Sequence, residues 1–140
     1  MKLNKKGFTL LEIIIVIIII GVLASLALPR FFKTVEFSRS SEALTALSTL
    51  RQSVERCALM ATSSAGTQCV TIGNLDVANP GNSGGAHFTY AITNVDSAGT
   101  MTITATRNTV DGGTSGDTVV LTATTGTVTR SGTTSFAGIK

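Results

Sequence analysis

Residues 7–29 read GFTLLEIIIVIIIIGVLASLALP. From Phe8 to Leu28 there are 21 residues and a single charge, Glu12. A helix of that length rises ~31 Å, enough to cross the hydrocarbon core of a bilayer. The β-branched run would also suit a buried strand, but strands of this length are rare and helices of this length are not. The stretch is read as a membrane-spanning helix. Lys2, Lys5 and Lys6 precede it, while Arg30, Lys33 and Arg39 follow it against one Glu36. The basic prefix points the N-terminus to the cytoplasm.

The residues alone leave three readings of this segment. One is a secretory signal peptide, with a basic start, an apolar core and small residues at Ser25-Leu26-Ala27. Another is a plain single-pass anchor. The third rests on Glu12. A carboxylate in mid-bilayer costs about 2.5–3.5 kcal/mol unless it is partnered or close to the interface. A signal or anchor has no use for it.

The surrounding composition narrows the classes. The chain has 140 residues, 43% hydrophobic, 14% charged and 5% aromatic, with one His. That is too apolar for disorder, too short for two cores and poor in metal ligands. There is no P-loop, no GxGxxG and no CxxC pattern. His87 is the one candidate base for Ser-His-Asp or Cys-His chemistry, so no catalytic residue is assigned and no cofactor is implied. The loop from Asp111 to Asp117 holds two carboxylates, but Gly-Asp loops are usually turns, and no metal site is assigned. Arg107 and Arg130 fall far short of a nucleic-acid footprint, so no nucleic acid is predicted.

The segment from Gly7 to Glu12, the aliphatic run and Pro29 resemble the N-terminus of type IV prepilins and type II secretion pseudopilins. The resemblance covers about residues 1–32; beyond Phe32 it is architectural. It implies a leader, 1–7, cut between Gly7 and Phe8 by a membrane-embedded prepilin peptidase, with N-methylation of Phe8. The apolar helix is then kept as the core of a filament. The new Phe8 amine of one copy would neutralise Glu12 of its neighbour, with Glu12 one helical turn from Phe8 on the same face. Gly21 and Pro29 are weak points of the helix. Pro29 has no N–H for the Ser25 carbonyl, so the helix is expected to kink or open between them. Unwinding on assembly and a fixed kink at the bilayer exit both stay open.

The implied function is a structural subunit of a type IV pilus. It is not an enzyme. Its partners are copies of itself, the prepilin peptidase and the pilus assembly machinery. The precursor would sit in the bacterial inner membrane and the product in a surface filament. A pseudopilin of a type II secretion or DNA-uptake system is the alternative. Three of the eleven basic residues lie in the leader, and without them eight basic residues face eight acidic ones. The formal +3 then falls to zero.

The rest of the chain reads as α+β, a pilin fold. The helix is expected to continue from Phe8 to about Ala61, as an assembly helix over 8–30 and an amphipathic helix over 31–62. Leu44, Leu47, Leu50, Val54, Ala58 and Ala61 recur at three- or four-residue steps. Ser38–Ser41 could weaken it or start a new helix. Breakers at Thr62–Gly66 open an αβ-loop over 63–86, with a turn cluster at Asn79–Gly85. Strand alternation follows over 87–140: Phe88, Tyr90, Ile92; Met101, Ile103, Ala105; Val119, Leu121, Ala123; and a short strand at Thr127–Arg130 reached through Thr125-Gly126. The apolar face of this four-stranded antiparallel sheet would be covered by the C-terminal half of the helix. Cys57 and Cys69, twelve apart in an exported chain, read as one disulfide, with two buried thiols as the alternative.

Overall fold

The computed structural model describes residues 7–61, 65–96, 98–124 and 127–139. The leader residues 1–6, the breakers Thr62–Ser64 and the Thr125-Gly126 turn lie outside them. The chain divides between Val35 and Glu36 into two compact units, an N-terminal arm and a C-terminal head. One helix, α1 (Leu10–Met60), supplies all of the arm's helix and the first element of the head.

Thr9 starts α1. Its hydroxyl accepts the Glu12 N–H at 3.2 Å and its carbonyl accepts the Ile13 N–H at 3.3 Å. That is an N-cap, so Phe8 lies outside the helix. The expected one-turn relation between Phe8 and Glu12 is therefore absent from this chain. Pro29 does not open the helix either; α1 passes through it without interruption. Ser38–Ser41 do not break it. Ser41 and Thr45 donate their hydroxyls to the Ser38 and Ser41 carbonyls, at 2.7 and 2.9 Å, and so keep their polar groups on the helix.

In the head, α1 turns Ala43, Leu47, Leu50, Val54 and Ala58 inward, at steps of four, three, four and four. They meet a meander of β1 (Phe88–Thr93), β2 (Met101–Arg107), β3 (Thr118–Thr124) and β4 (Thr127–Gly132), antiparallel and in sequence order. Period-two alternation sends Phe88, Ile92, Met101, Ile103, Ala105, Val119, Leu121 and Ala123 into the core. Ile92, Ile103 and Leu121 are direct cross-strand neighbours. The opposite face is mostly threonine. The architecture is thus α+β and pilin-like, a long N-terminal helix whose C-terminal half packs on a four-stranded sheet.

Past β4 the chain folds back on the core. Phe136 is fully buried with its ring 5.7 Å from that of Phe88, and Ile139 is buried beside it. Gly132 permits the return, because a Cβ there would clash with the Phe136 carbonyl. The connection from α1 to β1 holds a short helix, α2 (Ala65–Gln68), and is fastened twice. Cys57 and Cys69 form a disulfide with Cα atoms 5.8 Å apart. Arg56 grips Asp76 through two hydrogen bonds of 2.7 and 2.9 Å, and the Ser53 hydroxyl donates to the same carboxylate. Together they hold the Asp76 carboxyl down at about 2, the Arg56 bond contributing most and Ser53 next.

Arg107 ends β2 on the inward side, in register with Phe88, and is buried. Its guanidinium is fully used. Nε and Nη2 donate to the two Glu36 oxygens at 3.0 and 3.1 Å. Nη1 donates to the carbonyls of His87 and Asn108, and Nη2 to that of Val110, each at 3.1 Å. The β2–β3 loop lies so close that a Cβ on Gly113 would clash with the guanidinium. The Arg107 hydrogen bonds hold the Glu36 carboxyl below its ordinary range. Arg107 is thus a buried strut, not part of a basic surface patch.

Candidate assembly site

Among the described residues, the arm carries the longest run of exposed large hydrophobic side chains. Every large hydrophobic residue from Phe8 to Phe32 is exposed, from 43% at Ile14 to 77% at Phe8 and Leu10. A helix that is apolar all round is stable in lipid or against other helices, not in water. By length and composition it is able to cross a membrane, and none of the apolar stretch is buried within the chain. Phe31 and Phe32 pack edge to face at 6.2 Å and are still 63% exposed each.

Glu12 sits in the first turn of this helix. Thr9-Leu10-Leu11-Glu12 has the spacing of a capping box, in which the carboxylate would return to the cap residue's N–H. Only the threonine half is made. The Glu12 carboxylate has no hydrogen bond or ion pair to any described residue, and it is exposed. Negative charge in a first helical turn is favourable to the helix, worth about 0.3–1 kcal/mol. That does not cover the cost of taking it into lipid.

Gly21 faces the same open surroundings. A Cβ there would meet nothing within 4 Å, so the fold of one chain does not require a glycine. In a helix interior Gly costs about 1 kcal/mol against Ala, here without any return inside the chain. Pro29 denies the Ser25 carbonyl its amide partner, while the Ser25 hydroxyl donates to the Val22 carbonyl at 2.7 Å. Gly7, Phe8, Glu12, Gly21 and Pro29 all lie on the arm, and Cys57 and Cys69 are joined in the head.

Two residues of consequence escaped the sequence reading. Thr9 was visible as the first letter of a T-x-x-E pattern. Arg107 continues the inward alternation of Met101, Ile103 and Ala105, which was the signal for its burial. The Asp111–Asp117 loop does not gather its carboxylates. Asp111 faces His87 and Arg39, while Asp117 is buried and accepts the Ser135 N–H at 3.3 Å. Among the described residues no group of His, Cys, Asp and Glu is placed to hold a metal.

An exposed apolar helix that continues into a small α+β head is a pilin-like architecture. Comparison with known proteins agrees. Residues 2–28 match the family described as the prokaryotic N-terminal methylation motif. The chain is 39% identical over 59 residues to the type IV major fimbrial protein FimA of Dichelobacter nodosus, covering 42% of this chain and 38% of that protein. It is 51% identical over 47 residues to the type IV major pilin protein PilA of Myxococcus xanthus (strain DK1622), covering 34% of this chain and 21% of PilA. The fimbrial protein EcpC of Eikenella corrodens shares 54% identity over 43 residues, 31% of this chain and 28% of EcpC. The chain thus spans less than two fifths of the length of the curated relatives it matches. No solved structure matches it. The N-terminus is of the prepilin type, and the relatives are type IV pilins and fimbrial proteins.

Proposed function

We propose that this chain is the precursor of a pilin, a structural subunit that polymerises through its arm. The observation that carries this is the uncovered apolar helix with a carboxylate in its first turn that has no partner among the described residues. In this reading the chain waits in the inner membrane with residues 1–7 as leader and 8–30 as the membrane segment. Residues 31–62 form the amphipathic half of the helix, 63–86 the αβ-loop and 87–140 the sheet. Prepilin peptidase cleaves between Gly7 and Phe8, and Phe8 is N-methylated.

Cleavage changes the electrostatics at one point. The new α-amine of Phe8 is cationic and lies just before the Thr9 cap. In a bundle of copies, the amine of one chain meets Glu12 of the next, and each offsets the other's desolvation. The pair sets the axial step between subunits. Gly21 lets neighbouring helices approach, and the missing hydrogen bond at Pro29 is where the helix gives way on packing. The head, closed on itself, faces outward and makes the fibre surface.

Mass spectrometry of the exported protein tests the first step. A mature chain beginning with N-methyl-Phe8 is expected. A mature chain beginning near Leu28, as signal peptidase would leave it, overturns the reading. Electron microscopy of surface fibres that contain this chain tests the second.

A further inference from the structure

His87 is the chain's single histidine, at the foot of β1, between α1 and the β2–β3 loop. Its Nδ1 lies 2.8 Å from Glu42 Oε2 on α1, and its Nε2 lies 2.9 Å from Asp111 Oδ2 on the loop. An ionised carboxylate can only accept hydrogen bonds, and a neutral imidazole has a single N–H. Both contacts exist together only when both ring nitrogens carry protons. With both carboxylates ionised, this geometry fits the imidazolium.

The charges around the ring agree. From α1, Glu36, Arg39 and Glu42 face this region; from β2, Arg107; from the loop, Asp111; on its own strand, Tyr90. Burial pushes the Tyr90 hydroxyl up to about 12, so it stays neutral. Three carboxylates then face two arginines, and a proton on His87 balances the cluster. The two hydrogen bonds, to Asp111 first and Glu42 second, raise the affinity of the ring for that proton above the ordinary value of 6.5.

Asp111 has reason to move when released. It is a non-glycine residue at φ +54°, in the left-handed region, and is followed by Gly112 at φ +72°. Among the described residues its carboxylate is held by His87 and, more loosely at 3.6 Å, by Arg39.

We propose that His87 is a proton-operated clamp on the β2–β3 loop. As the imidazolium it ties Asp111 of the loop to Glu42 of α1; on losing its proton it keeps one tie and loosens the loop. The loop would be presented in one fixed shape in neutral surroundings and in a looser one in alkaline surroundings.

The test uses the full chain, 15N-labelled, in detergent micelles from pH 5.5 to 9.5. The lone histidine makes the ring signals unambiguous. Both ring nitrogens should be protonated at pH 6.5, with a midpoint above that value. Amide protection, corrected for intrinsic exchange, should fall at least threefold across that midpoint at Gly112 and Gly113, which donate to Thr109 and Val110. Gly99, in the β1–β2 turn, should not change. In Asp111→Asn the midpoint should drop towards 6.5 and the step at Gly113 should vanish. A neutral ring at pH 5.5 overturns the proposal. So does protection that stays flat across the midpoint, or an Asp111→Asn variant that keeps the wild-type midpoint and step.

Discussion

The two ends of α1 show what one helix can do under two different rules. From 36 to 60 a stripe of apolar residues, Ala43, Leu47, Leu50, Val54 and Ala58, is covered by the chain's own sheet, while Phe37, Leu59 and Met60 stay exposed. From Phe8 to Phe32 the apolar residues run all the way round, and none of the described residues covers the large ones. The same contrast holds for charge. In the head, Arg107 and Glu36 meet 71 residues apart in sequence, and Asp76 is held by Arg56 and Ser53. In the arm, Glu12 is left open. The head thus buries most of its core within its own chain, and the arm leaves its large apolar residues uncovered.

The largest effect should come from the arm, and the head should not feel it. Glu12→Ala is expected to insert into the membrane normally and to abolish or disorder fibres, as seen by electron microscopy of sheared cells. The head should melt as in the wild type. Normal fibres from that variant would remove Glu12 from assembly. A matched pair of truncations then separates the rules directly. Leu50→Ala empties a fully buried site and should cost about 4 kcal/mol of unfolding free energy. Ile17→Ala removes more exposed apolar surface and should cost the head less than about 0.5 kcal/mol. Denaturant unfolding in micelles, followed by a head-specific probe, decides this. A comparable loss for both variants would mean that the arm also packs within its own chain.

The head's own links follow in size. Glu36→Gln leaves the buried guanidinium of Arg107 without its counter-charge, at a cost of roughly 3 kcal/mol. Replacing both Cys57 and Cys69 by Ser should cost about 2–3 kcal/mol, the worth of closing a short loop. Unfolding in the presence and absence of a reductant should show the second loss in the wild type and no difference in the double variant.

Periodicity made most of this legible. The steps of three and four from Leu47 to Ala58 and the alternation from Met101 to Ala105 report burial on one face, which is a local property of the chain. What stayed hidden depends on partners distant in sequence. Arg107 occupies an inward position like its neighbours, but it is a charged residue, and its burial is possible only because Glu36 and three carbonyls converge on it. Phe136 and Ile139 lie beyond the last alternating run, in a turn that Gly132 allows, so nothing periodic announced them. At the site the reverse held. Glu12 was conspicuous in the sequence, while none of the described residues partners its carboxylate.

The smallest effect sharpens the contrast between the two open carboxylates, Glu12 and Asp76. Asp76 is exposed, like Glu12, but its partners come from its own chain. Its carboxyl is lowered from 3.8 to about 2, chiefly by the Arg56 hydrogen bond. The stabilisation is therefore present above pH 3.8, where the unfolded carboxyl is already ionised, and is lost as pH falls through 3.8 towards 2. An exposed pair contributes little to global stability, so the melting temperature is the wrong readout. The amides of Asn74 and Leu75, which donate to Thr71 and Ile72, are the right one. Their protection should fall between pH 4 and 2 in the wild type, and Arg56→Gln should have lost it already at pH 5. Protection in Arg56→Gln equal to wild type at pH 5 would mean that the disulfide alone holds this connection. The head would then have one fastening there instead of two.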